Sequence, residues 1–301
     1  PITNVARYST DKDEAMSQSQ DGNRAGKTKA DTKGLIGLAE AVKLSTSLAA
    51  ITLESTKGST LPIEMLKGVD KKARIVDLAR KGLSFISAIF IGILMRGNTH
   101  VNEFVLNSNE VTASGATGIV QQLSKTKSIK VLDISNVVLL EDKTKGEKKA
   151  GQGHSRVANG AIPTQRLEQL WAAVSALGSL EKIDRLTMDR NYLTSIDSFA
   201  KLTSLKNLSM SNNAIAKLPE NIYLISGLKS LTLHANQLRE LPRSIGELEH
   251  LERIDVRSNR LTYLPTTLSQ LKNLKALDAA ENMILSLHPS VCDWHAIEKL
   301  E

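Results

Sequence analysis

Down the second half of the chain, apolar residues recur in the frame L-x-x-L-x-L-x-x-N-x-L. It is filled by Ile183, Leu186, Met188, Asn191 and Leu193, then by Leu205, Leu208, Met210, Asn213 and Ile215. Three further copies begin at Leu228, Leu251 and Leu274 and carry Asn236, Asn259 and Asn282, so the five asparagines stand 22, 23, 23 and 23 residues apart. The L-x-L core of the frame is a period-two strand with alternate side chains turned inward, and stacked copies predict a parallel sheet. An asparagine at the next inward position offers two amide donors and a carbonyl to backbone groups left over where each coil turns, which predicts a ladder. After each asparagine comes Leu218-Pro219, Leu241-Pro242 or Leu264-Pro265, with a shifted echo at Leu287-His288-Pro289. Proline forbids both helix continuation and strand pairing, so the outer side of these coils is expected to be extended or built of short turns.

The first half carries a longer version. Leu78, Leu106 and Ile134 share the strand position at 28-residue spacing, and Leu53 stands 25 residues earlier as a further member. The extra length predicts an outer helix in each coil: Leu83, Ile86, Ile89, Phe90, Ile93 and Leu94 share one helical face, as do Ala116, Ile119, Val120 and Leu123. Of Thr56, Lys81, Asn109 and Val137 at the ladder position, Asn109 alone keeps the asparagine.

These repeats resemble those of the leucine-rich repeat superfamily. The Leu-Pro copies are similar to the 23-residue repeats of Ras-binding scaffolds and plant Ras-group proteins, and the long copies to the coil geometry, without the cysteines, of ribonuclease inhibitor. The resemblance implies an α/β fold: a right-handed solenoid, or horseshoe, of about nine coils with a concave parallel sheet.

The 54 residues from Ile134 to Met188 are twice the local repeat. A hidden degenerate coil and an insertion both account for that length. The stretch 141–165 is glycine- and lysine-rich with almost no apolar residues, which favours the insertion, closed by a helix from Arg166 to Leu177. The predicted organisation is a polar arm over 1–33 and a solenoid over 34–301. The solenoid divides into long repeats over 34–140, the insertion over 141–165, and short repeats with a terminal cap over 166–301. Leu35 to Leu48 is expected to cap one end as a helix, and Trp294, Ile297 and Leu300 the other.

Composition narrows the chemistry. Of 301 residues, 41% are hydrophobic but only 3% aromatic, so the core must be aliphatic. The one cysteine, Cys292, excludes an internal disulfide and suits a reducing, intracellular compartment. Phe85 to Met95 is the longest apolar run, too short for the ~20 residues of a membrane span. Of the net charge of +7, +4 falls in 1–33 and 141–166, so a general basic surface is not established. Arg7-Tyr8-Ser9-Thr10 is similar to a mitochondrial presequence cleavage site, although Asp11, Asp13 and Glu14 follow it, so mitochondrial and cytoplasmic locations both stay open.

No enzymatic motif emerges. Gly22-Asn23-Arg24-Ala25-Gly26-Lys27-Thr28 has three residues between its glycines where a phosphate-binding loop needs four. The six histidines lack metal-ligand spacing, no nucleophile elbow appears, and no cofactor or metal is expected. The concave row is where a partner protein would sit, and its candidate residues are Asp133, Asp189, His234, Asp255, Arg257 and Asp278. Lys143, Lys145, Lys148, Lys149 and Arg156 of the insertion are candidate contacts for an acidic protein or for nucleic-acid phosphate, while base stacking has no support without interleaved aromatics. The expected function is a non-catalytic interaction scaffold, a structural subunit of a large assembly such as a respiratory, ATP synthase or mitoribosomal complex. The alternative is a signalling adaptor of the Ras-binding or phosphatase-regulatory type.

Overall fold

Each L-x-L tripeptide places one buried side chain at the centre of a three-residue strand, and the repeat interval brings successive strands side by side. The computed structural model describes residues 24–53, 60–111, 113–126, 128–137, 182–196, 199, 201–289, 294 and 296–301. Nine parallel strands lie in chain order: β3 (Ile75–Asp77), β4 (Glu103–Val105), β5 (Val131–Asp133), β6 (Arg185–Thr187), β7 (Asn207–Ser209), β8 (Ser230–Thr232), β9 (Arg253–Asp255), β10 (Ala276–Asp278) and β11 (Lys299–Leu300). The registers align Val76, Phe104, Leu132, Leu186, Leu208, Leu231, Ile254 and Leu277, all at most 2% exposed. Burying such a side chain contributes roughly 1.5–3 kcal/mol, so the repeat itself is the main source of stability.

Behind the sheet the two halves differ as their repeat lengths require. The long coils carry α3 (Phe85–Met95) and α4 (Ala113–Leu123), packed on one another. Phe90, Ile93, Leu94, Ala116, Ile119, Val120 and Leu123 are buried, while Ile86 and Ile89 are only partly covered. Ser84 caps α3 by accepting from Ile86 N. The short coils have room only for 3-10 turns, Glu220–Leu224, Arg243–Glu247 and Thr266–Gln270, each started by the proline of a Leu-Pro pair.

Where each strand ends, the chain turns through a left-handed residue at one fixed register: Arg80, Ser108, Asn136, Arg190, Asn212, Ala235, Ser258 and Glu281, with φ between 51 and 58°. The following residue is the ladder position. Asn236 Oδ1 accepts from Ile215 N at 3.0 Å in the preceding coil, while its Nδ2 donates to Met210 O at 3.0 Å and Leu233 O at 2.9 Å. Asn259 repeats this with Leu238 N, Leu233 O and Val256 O, and Asn282 with Leu261 N, Val256 O and Ala279 O. Asn213 accepts from Asn191 N and Leu193 N; Asn191 accepts from Val137 N and donates to Ile134 O. Asn109 accepts from Lys81 N and Leu83 N and donates to Leu78 O and Leu106 O. The asparagines therefore join consecutive coils at their tightest bend.

Several details depart from the sequence-based expectations. Leu53 does not open the parallel stack. It follows β1 (Ala50–Thr52), which pairs antiparallel with β2 (Thr60–Pro62) in a separate hairpin that leads into α2 (Ile63–Lys67). The terminal helix α1 spans Arg24–Leu44 rather than 35–48, so it begins inside the expected arm and places the residues of the would-be phosphate loop from Arg24 onward in helix. It stops early because Ser45, Thr46 and Ser47 are poor helix continuers, and Leu48 N donates instead to Ser45 Oγ at 3.2 Å. Lys43 at its last turn donates to Ile93 O and Arg96 O at the end of α3, and Arg96 pairs with Glu40 at 2.9 Å. Burial and the nearby Arg96 guanidinium lower the Lys43 pKa.

β5 and β6 are hydrogen-bonded neighbours in the sheet. The insertion 141–165, its candidate contacts Lys143, Lys145, Lys148, Lys149 and Arg156, and the 166–177 helix lie outside the described residues, as does most of the arm. At the far end Leu300 is 46% exposed in β11, which continues the sheet instead of closing it, while Trp294 and Ile297 pack partly against the core. Leu287 is also 47% exposed, although its counterparts Leu218, Leu241 and Leu264 are buried.

Candidate functional site

The three-residue strands expose alternate side chains on the concave face, and parallel registry stacks those side chains into columns. The middle column holds Asp77, Val105, Asp133, Thr187, Ser209, Thr232, Asp255 and Asp278, and the next one Asp189, Ser211, His234, Arg257 and Ala280. Of the six candidate residues, Asp133, Asp255 and Asp278 end β5, β9 and β10, while Asp189, His234 and Arg257 stand two residues past the ends of β6, β8 and β9.

Much of their polarity is committed to shaping the strand ends. Asp133 Oδ1 accepts from Ser135 N at 2.9 Å, Asp255 Oδ1 from Arg257 N at 3.1 Å, and Asp278 Oδ1 from Ala280 N at 3.0 Å. Asp77 does the same for Ala79 N. A carboxylate at this position satisfies an N–H that the ladder leaves over, which explains why aspartate recurs there without invoking a ligand. Asp189, one column on, accepts from Ser209 Oγ at 2.8 Å and Ser211 N at 2.7 Å, linking two coils.

Further along, side chains bridge coil to coil. His234 Nδ1 lies 3.4 Å from Asp255 Oδ2, and Asn212 Nδ2 lies 3.2 Å from His234 Nε2. A neutral imidazole protonated at Nδ1 satisfies both contacts, donating to the carboxylate and accepting from the amide. Arg257 pairs with Glu281, which also accepts from Ser258 Oγ. The hydrogen bond to Glu281 raises the Arg257 pKa, and the bonds from Arg257 and Ser258 lower that of Glu281. His234, Asp255, Arg257 and Asp278 thus form one patch across β8–β10, whereas Asp133 and Asp189 form another near β5 and β6.

Sequence reasoning missed the column at the leading ends of the strands and the residue just before it. There Lys206 pairs with Asp184 at 3.2 Å, and Glu252 is held between Lys229 at 3.2 Å and Lys275 at 3.7 Å. The bond from Lys229 and the charges of both lysines lower the Glu252 pKa. The signal was present: the period-two argument that turns Asp255 toward the concave side turns Arg253 the same way. Glu281 was missed because it occupies the left-handed turn, outside the strand frame.

Among the described residues no group of histidines, cysteines or carboxylates could hold a metal ion, and no helix is long and apolar enough to cross a membrane. Nor does any nucleophile meet His234: Ser211 Oγ, in the adjacent column position, is buried and has no hydrogen-bond partner.

Residues 226–284 match the Leucine rich repeat family. No curated protein matches the chain. Among solved structures, internalin C2 of Listeria monocytogenes is similar, with a TM-score of 0.56 and 17% identity over 88% of this chain and 91% of its own. A leucine-rich repeat protein of Leptospira interrogans aligns with a TM-score of 0.50 and 20% identity, covering 88% of this chain and 68% of that one. The plant peptide hormone receptor RGFR1, in complex with RGF2, aligns at 0.51 and 16% identity over 83% of this chain and 38% of the receptor. At these identities the likeness is one of fold, a leucine-rich repeat solenoid.

Proposed function

This chain is built of leucine-rich repeats, and on that premise we propose that it is a non-catalytic scaffold that binds another protein on its concave sheet face. The observation that carries this reading is the largely polar face of β3–β11: adjacent strands stack their outward side chains into long columns, and among the described residues no reactive group is assembled on them. Repeat proteins use such extended surfaces for recognition. RGFR1, a plant peptide hormone receptor of similar fold, is in complex with RGF2.

The finer reading is a structural subunit of a large assembly, with a mitochondrial complex as one setting. It is supported by the face's lack of exposed aromatic anchors, the side chains that usually concentrate binding energy in a small patch, which suits a broad, permanent interface. Native-gel fractionation of source-cell lysate and of purified mitochondria tests it. Stoichiometric recovery in a megadalton band supports the subunit; a chain that runs free or in small cytosolic complexes points to the adaptor alternative.

A further inference from the structure

The concave face is divided by charge along its length. At the leading ends of the strands stand Lys130, Arg185, Lys206, Lys229, Arg253 and Lys275, one from each of β5–β10 or the residue before it, and all six are exposed. Glu103, Asp184 and Glu252 interrupt this basic edge, and Asp184 and Glu252 are engaged by its lysines. At the trailing ends stand Asp77, Asp133, Asp189, Asp255, Asp278 and Glu281, against Arg80, Arg190 and Arg257. Strand capping accounts for aspartates on the trailing edge, but it places no requirement on the leading edge. The opposition of the two edges therefore describes a surface, not a by-product of the turns. On the trailing side, in the same column as Asp189, Ser211 Oγ is buried without a hydrogen-bond partner.

We infer that the trough takes a partner helix lying across the strands, with a row of acidic side chains along the Lys206–Lys229–Lys275 edge and a row of Lys or Arg along the Asp189–Asp255–Asp278 edge. This rests on the scaffold reading and adds the chemistry of the partner. The dimensions agree. Strands stack about 4.8 Å apart, close to the ~5.4 Å pitch of a helix, so one charged side chain per turn keeps near-register with successive coils. The five-residue width from Lys206 to Ser211 is about 16 Å at ~3.3 Å per residue. That accommodates a helix of 10–12 Å with flanks reaching both edges. An extended segment places same-side residues about 6.6 Å apart, out of register with coils about 4.8 Å apart.

The test uses the full chain and three synthetic helical peptides of equal length: one with glutamate on one flank and lysine on the other, one with glutamate on both, and one with lysine on both. The divided peptide is expected to bind at least tenfold more tightly than either uniform peptide, with affinity falling as salt rises. Asp255→Asn/Asp278→Asn keeps an acceptor for the backbone N–H groups while removing charge. It should cost about tenfold for the divided peptide and spare the all-glutamate one. Lys229→Gln/Lys275→Gln should do the reverse, sparing the all-lysine one. Equal binding of the three peptides, no binding by any, or indifference to both variants overturns the inference. A native partner that cross-links to the concave face yet is insensitive to both variants leaves the scaffold reading standing and removes this one alone; a partner that cross-links to the convex side removes both.

Discussion

Asn236→Ala tests whether the asparagine ladder holds neighbouring coils together. Asn236 is 7% exposed and bridges two coils, accepting from Ile215 N and donating to Met210 O and Leu233 O. Alanine leaves the buried Ile215 N–H unpaired, which costs about 1–3 kcal/mol. Met210 O keeps the donor from Asn213 at 2.9 Å and Leu233 O that from Asn259 at 3.0 Å, so both carbonyls lose only a second partner. Adding a fraction for those, the expected loss is about 2–4 kcal/mol. Guanidinium unfolding followed by circular dichroism reads it, and the slope with denaturant must be unchanged for the difference to count as stability. Asn282→Ala is the internal comparison: Asn282 sits in the last ladder position, partly exposed, where water can replace the lost bonds. Its cost should be below half that of Asn236→Ala. A loss under 1 kcal/mol at Asn236, or equal losses at both sites, refutes the argument that these amides are spent on buried backbone.

Other expectations follow from the same geometry. Leu231→Ala, in a fully buried position at the centre of the sheet, should lower stability by about 2–5 kcal/mol in the same unfolding assay. Ala235→Asn should raise it by up to about 1 kcal/mol, since residue 235 sits at φ 53° in the left-handed region that asparagine tolerates better than alanine. Gly246→Ala places a Cβ 2.4 Å from Thr267 O in the next coil's turn, where backbone must shift, and a melting-temperature drop corresponding to about 1–3 kcal/mol is expected. For acid stability, Glu252 and Glu281 have pKa values lowered in the folded state, so the stability they contribute is present above the ordinary carboxylate range and is lost as pH falls through their folded values. Melting temperature measured from neutral pH downward should fall less steeply for Glu252→Gln/Glu281→Gln than for the natural chain.

The coil was legible in the sequence because its determinants are local and repeated: an inward leucine every second residue, an asparagine at the turn, and a proline where the convex 3-10 turn begins. Ile254 and Asn259 could be placed without any contact being known. The ends were less legible because no repeat governs them. Leu53 fits the leucine spacing, yet its segment forms a hairpin, a choice made by antiparallel pairing between β1 and β2 that the spacing does not encode. Likewise Leu300 satisfies the interval, yet it is 46% exposed. The concave surface was half legible. Periodicity says which side chains face outward, and so should have given Arg253 with Asp255. Which of them pair depends on contacts between coils 22–24 residues apart, as with Arg257 and Glu281 or Asn212 and His234, and no single repeat contains those.

The most direct test of the scaffold account is lysine-directed cross-linking mass spectrometry of the native complex isolated from source cells. The concave leading edge offers Lys206, Lys229 and Lys275, while Lys125, Lys217 and Lys272 lie exposed outside the sheet as controls. Partner cross-links concentrated on the first three are the predicted result. Cross-links concentrated on the last three, with Lys206, Lys229 and Lys275 labelled equally in bound and free protein, would contradict the claim that the concave sheet is the binding surface.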